Sequence, residues 1–147
     1  MIVSGSITTI GESHLKKSKV CQDSSGHSSC GDYSIISVAD GHGGEKYIHS
    51  DLGSKFAVES SIEVLSELMR CKNNVEHLSR NFNDTICTIQ QKILEKWSKK
   101  VKESDSNLSE TDAQSTTDGD FHWNRIEEKY GTTLIVAIMT DTYSFGF

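Results

Sequence analysis

The strongest constraint in this sequence is a strand that runs straight into a glycine-rich turn carrying an acid and an imidazole. Residues 33–39 read Tyr-Ser-Ile-Ile-Ser-Val-Ala, apolar enough for a buried strand, and the next five are Asp40-Gly41-His42-Gly43-Gly44. No strand or helix interior favours such a run of glycines, so an irregular turn must end the strand. Its residue types suit a hard divalent cation, which takes oxygen ligands from carboxylates and backbone carbonyls. Asp40 and the carbonyl of Gly41 are therefore candidate ligands, because glycine lets the main chain approach an ion with no Cβ in the way. His42, next to them, can move a proton near neutral pH. Asp23, in Cys21-Gln22-Asp23, precedes the same strand and offers a second carboxylate. Two carboxylates do not fill two octahedral sites, so the other ligands must be water or residues not in this chain. The plainer alternative is a glycine turn with Asp40 capping the next helix and His42 exposed.

Periodicity places the surrounding elements. Ile7 and Ile10 within the small polar residues 4–10 suggest a first strand, and the polar residues 11–31 read as loop. Val58, Ile62, Leu65 and Met69 recur at helical spacing and predict a helix over 51–70, with Ser50 or Asp51 as its cap. Val75, Leu78, Phe82, Ile86, Ile89, Ile93, Trp97 and Val101 form one longer stripe, read as a second helix with a core-facing or partner-facing surface. Residues 102–120 have almost nothing to bury and read as a mobile acidic loop. A strand is expected over 134–139, then a turn at Asp141-Thr142 and a half-buried strand over 143–147, still alternating at Phe147. An apolar strand edge left there suggests a truncated domain.

Composition narrows the function. Fifteen Lys and Arg against twenty-one Asp and Glu leave a net charge of −6, which repels a phosphate backbone and argues against nucleic acid as a partner. The longest apolar run, residues 134–139, is far short of a membrane span. With no secretory signal read at the N-terminus, the chain is expected in the cytoplasm with Cys21, Cys30, Cys71 and Cys87 reduced. A zinc site from Cys21, His27 and Cys30 lacks a second paired half. A nucleotide-phosphate cradle lacks both the G-x-G-x-x-G pattern and a P-loop lysine.

Four pieces of sequence, in order, resemble the metal-dependent protein phosphatases, the type-2C serine/threonine phosphatase family. Val38-Ala39-Asp40-Gly41-His42-Gly43-Gly44 resembles its Asp-Gly-His-Gly/Ala-Gly signature, and Cys21-Gln22-Asp23 its N-terminal Glu/Gln-Asp element. Residues 50–59 resemble the helix after the signature in a bacterial-type subgroup, and Tyr130-Gly131-Thr132-Thr133-Leu134 the Gly-Ser/Thr-Thr strand start. The likeness covers about residues 5–147.

This resemblance implies an α+β fold, a four-layer αββα sandwich in which two antiparallel sheets are flanked by helices, with two Mn²⁺ or Mg²⁺ ions at one end. It implies hydrolysis of phosphoserine or phosphothreonine in a phosphoprotein substrate by activated water, with no phosphoenzyme. Asp40 would be the bridging metal ligand, Gly41 a carbonyl ligand, Asp23 a metal-site or water-holding carboxylate, and His42 the general acid. Three departures stand against the pattern. Gln22, a weaker oxygen donor, stands where many members carry a Glu ligand, although the subgroup also pairs Gln with Asp. The family's phosphate-binding Arg falls at about Ser18, passing any such role to Lys16, Lys17, Lys19 or His14. The two aspartates that complete the metal site in full-length members of the family would fall beyond Phe147. Residues 1–147 are accordingly expected to be the N-terminal part of one phosphatase domain, weakly active or inactive alone. The alternative is a non-catalytic pseudophosphatase or regulatory module, whose partner would cover the apolar helix and strand edge.

Overall fold

The apolar residues of β2 (Tyr33–Asp40) lie inside a sheet, with a strand on either side. In the computed structural model, which describes residues 2–16, 20–70, 82–109, 126 and 128–147, four antiparallel strands follow the order β1-β2-β3-β4. These are β1 (Asp23–Cys30), β2, β3 (Ile135–Thr140) and β4 (Ser144–Gly146). The helices named among the described residues are α1 (Glu12–Lys16), α2 (Ser50–Met69) and α3 (Phe82–Ser109), so the class is α+β. Among the described residues no helix is long and apolar enough to cross a membrane.

The expected loop over 11–31 is corrected: it contains α1 and the whole of β1. β1 reads Asp-Ser-Ser-Gly-His-Ser-Ser-Cys and has no apolar alternation to betray it. It is a strand because the two-residue turn Gly31-Asp32, with Gly31 at φ 57°, folds it back on β2 in the register Cys30↔Tyr33 through Asp23↔Asp40. The expected strand over 4–10 is not formed either. That segment lies against β1 through side chains: Thr8 Oγ1 is 2.6 Å from Ser25 Oγ, Ser6 Oγ 2.9 Å from His27 Nδ1, and Ser4 Oγ 2.8 Å from Ser29 Oγ. Hydroxyls at alternate positions thus make the contacts that a backbone ladder would otherwise supply.

Both long helices cover one face of the sheet. Val64, Leu65 and Met69 of α2 and Ile86, Ile89 and Ile93 of α3 enclose Ile35, Val136 and Ile138. The α2 stripe behaves as its spacing predicts, with Val58 and Leu65 buried. Small residues let the helix sit close to the sheet, where Ser54 Oγ meets Ser24 Oγ at 3.0 Å and Ser61 Oγ meets Ser37 Oγ at 2.8 Å. The expected cap is corrected. His49 holds the N-cap position and makes no side-chain cap bond, while Ser50 is already helical with its hydroxyl committed elsewhere. Helix α3 buries Ile86, Ile89, Ile93 and Val101 as expected, and Trp97 Nε1 donates to the Gly53 carbonyl at 3.0 Å. It continues to Ser109, so residues 102–109, read as loop, are helical; Val75, Leu78 and residues 110–120 fall outside the described residues. The Asp141-Thr142 turn forms as predicted, with the Thr140 hydroxyl accepting from the Thr142 and Tyr143 amides.

On the opposite face of the sheet residues 4–10 cover the β1 side and bury Ser34, while Val38 and Ile135 stay exposed at 42% and 63%.

Two buried hydroxyls among the described residues, those of Ser60 and Thr85, are unsatisfied. Ser60 Oγ has no hydrogen-bond partner although the residue is fully buried on α2. Ser60→Ala removes that orphan and improves helix propensity, and is expected to stabilise the fold by about 1 kcal/mol. Denaturant unfolding checks this; a lower midpoint for the variant would mean that the hydroxyl is bonded in solution.

Candidate functional site

The turn after β2 is fixed by bonds on both sides of the chain. The Asp40 carbonyl accepts from the Thr133 amide at 2.9 Å, Thr132 Oγ1 at 2.9 Å and Thr133 Oγ1 at 3.3 Å. The His42 amide donates to the Gly131 carbonyl at 2.9 Å, which extends the β2–β3 pairing one step past the sheet as the bridge Gly41↔Thr132. On the other side the Gly41 amide donates to the Gln22 carbonyl at 3.1 Å. Gly41 is buried, and a Cβ there would lie 2.5 Å from Gln22 O and 2.6 Å from Ser50 O, both rigid backbone atoms. Only glycine lets this turn pass between β1 and α2.

The same register brings the two predicted carboxylates together. Asp23 and Asp40 are cross-strand partners at the end of the β1–β2 ladder, directly opposite each other. Partial burial, then the charge of Asp40 and a hydrogen bond to it, raise the Asp23 carboxyl above the usual aspartate range, with His14 pulling the other way. Both aspartates are largely exposed, so solvent screens the repulsion without abolishing it. A cavity of about 400 Å³ opens beside them, lined by both carboxylates, Thr8, Thr9, Ser25 and Thr133. A separate apolar cavity of about 290 Å³, walled by Ile93, Leu94, Trp97, Leu134 and Phe147, holds no carboxylate or imidazole.

His42 leaves the turn half-buried, its ring edge-on to Tyr47 at 4.8 Å and 76°. Lys46 Nζ lies over the other ring at 4.8 Å and pairs with Glu128 at 2.6 Å. The structure thus groups Asp23, Asp40, Gly41 and His42 at one end of the sheet. Of the cations weighed for the absent Arg, His14 is close enough to Asp23 to act on its charge, Lys16 pairs with Glu12 at 2.7 Å, and 17–19 lie outside the described residues. The cysteine–histidine zinc arrangement does not assemble, because Cys21 and Cys30 flank the length of β1, more than about 20 Å apart at 3.3 Å per residue. Sequence reasoning missed the parts of Tyr47 and Ser50. Their contacts to His42 and Gln22 are made through the fold, and no local pattern announces them.

Divalent cations fit the residues present in part. Two opposed carboxylates that repel one another, and a carbonyl on a residue with no room for a Cβ, form an oxygen-rich, anionic edge. Among the described residues no group of three or more His, Cys, Asp or Glu converges to hold a metal ion.

The α+β fold therefore carries paired acids and a Gly-His turn at one end of its sheet. A family model for protein phosphatase 2C matches residues 10–147, and the chain belongs to that family. No curated protein and no solved structure matches it.

Proposed function

We propose that this chain forms the N-terminal part of a metal-dependent phosphoserine/phosphothreonine protein phosphatase domain, and that it is weakly active or inactive alone. The observation that carries the reading is the register pair Asp23↔Asp40 beside Gly41 and His42, in a chain of the protein phosphatase 2C family. Asp40 and Asp23 would hold Mn²⁺ or Mg²⁺ together with the Gly41 carbonyl, and further ligands would come from outside this chain. Such cations, when bound, supply positive charge that activates water and offsets the phosphoryl charge. Thr132 and Thr133 hold the Asp40 main chain still. His42, braced by Tyr47, would give a proton to the serine or threonine oxygen as it leaves. The cavity beside the carboxylates would admit the phosphorylated side chain of a protein substrate.

The exposed part of the face opposite the helices, at Val38 and Ile135, supports a second sheet, and so the four-layer αββα sandwich. The same face supports the second reading, a regulatory module whose protein partner covers it.

Hydrolysis of p-nitrophenyl phosphate with Mn²⁺, by this chain and by a form extended beyond Phe147, separates the possibilities. The extended form should turn over and lose activity on Asp40→Ala, while the 147-residue chain does little. Brisk activity from the short chain overturns incompleteness; an inactive extended form that binds no Mn²⁺ favours the regulatory module.

A further inference from the structure

We propose that Gln22 is a positioning residue, whose side-chain amide ties the Gly41-His42 turn to the first turn of α2, and not an oxygen ligand for a metal. Its part in catalysis rests on the phosphatase reading above; the tie itself does not. Gln22 Nε2 donates to Ser50 Oγ at 2.7 Å and to the His42 carbonyl at 3.3 Å. A carbonyl can only accept, so the nitrogen end of the amide must face His42, and its oxygen cannot occupy the same position. Ser50 is fully buried, and its hydroxyl requires such a partner. The Gln22 main chain acts on the same turn, accepting from the Gly41 amide at 3.1 Å. One residue therefore joins the start of β1, the turn bearing His42 and the start of α2.

Glutamate has the same length and no donor. At this position its carboxylate could accept from the Ser50 hydroxyl but would set lone pairs against the His42 carbonyl. The two roles for Gln22 consequently predict opposite signs for Gln22→Glu. A ligand would become a stronger, charged oxygen donor and bind Mn²⁺ more tightly. A tether would be broken.

Amide hydrogen exchange on the metal-free chain tests the tie without reference to activity. Gln22→Glu, and Gln22→Met as an uncharged variant of similar length, are expected to speed exchange of the Gly41 and His42 amides about tenfold, with melting curves confirming a folded chain. On the extended form both variants should lower kcat about tenfold with little change in KM, and calorimetric titration should show Mn²⁺ binding no tighter than in the parent. Unchanged exchange in both variants overturns the tie, as does tighter Mn²⁺ binding with full kcat in Gln22→Glu. Faster exchange in variants of an extended form that hydrolyses nothing leaves the tether standing and removes the phosphatase reading instead.

Discussion

Gly53→Ala is expected to destabilise the chain by about 3 kcal/mol and to lower Tm by about 10 °C, although alanine is the better helix former. Helix propensity alone would favour alanine at this interior position of α2 by about 1 kcal/mol. The steric term opposes it and is larger. A Cβ at Gly53 would lie 2.7 Å from the Tyr130 carbonyl carbon and closer still to its oxygen, and these are backbone atoms that no rotamer change can move. Tyr130 is itself fully buried, against His49 at 5.2 Å and Phe56 at 6.3 Å, and its hydroxyl donates to Ser104 at 3.2 Å. Displacement would pass to the next residues, since the Gly131 carbonyl holds the His42 amide and Thr132 and Thr133 hold the Asp40 carbonyl. The variant should therefore lose Trp97's bond to the Gly53 carbonyl as well, visible as a shift in tryptophan fluorescence. A rise in Tm would show that α2 and Tyr130 are not in contact in solution.

That contact marks the limit of what could be read from the residues in order. The strand over 33–39, the helix stripes around Val58 and Ile93, and the acid–glycine–histidine turn were legible because each is a local pattern whose period or residue type has one economical reading. β1 was not, because its signal is not apolar alternation but the Gly31-Asp32 turn, which sends a serine-rich segment back along a buried strand. Residues 4–10 misled in the reverse direction: their alternation is real, yet it pairs hydroxyls with Ser25, His27 and Ser29 instead of building a ladder. The helical run over 102–109 was hidden by its polarity, which reflects a helix end with little to bury rather than a break. At the site, Asp40, Gly41, His42 and Asp23 were visible as residue types, but the opposition of the two carboxylates depends on a register that the turn alone sets. Gln22 is the sharpest case. Its identity suggested a weak oxygen ligand, and only its contacts with Ser50 and His42 show that it works through its nitrogen.

Neutralising either acid of the pair is expected to help the metal-free fold and to harm the function, and the two effects can be measured on the same samples. Asp23 keeps its proton more tightly in the folded chain than in the unfolded one, because of burial and the neighbouring Asp40 charge. Where folding raises an acid's pKa, the folded state binds more protons, so stability falls as pH rises from the usual aspartate value through the raised one. Above that window the cost is fully present. Asp23→Asn removes it, so the variant should melt above the parent at pH 7 and lose that advantage at pH 3, where the parent's carboxyl is protonated in both states. A divalent cation would reverse the ranking. Held at one hundred times its Kd, it would stabilise the parent by about 2.7 kcal/mol, a Tm rise of roughly 5–10 °C. Asp40→Asn should abolish most of that rise and lower hydrolysis by the extended form at least about 100-fold, with Asp23→Asn intermediate. An Mn²⁺-induced rise in Asp40→Asn equal to the parent's would remove Asp40 from the proposed metal site. An unaltered pH 7 melt in Asp23→Asn would mean that Asp23 and Asp40 do not strain one another across the strand pair.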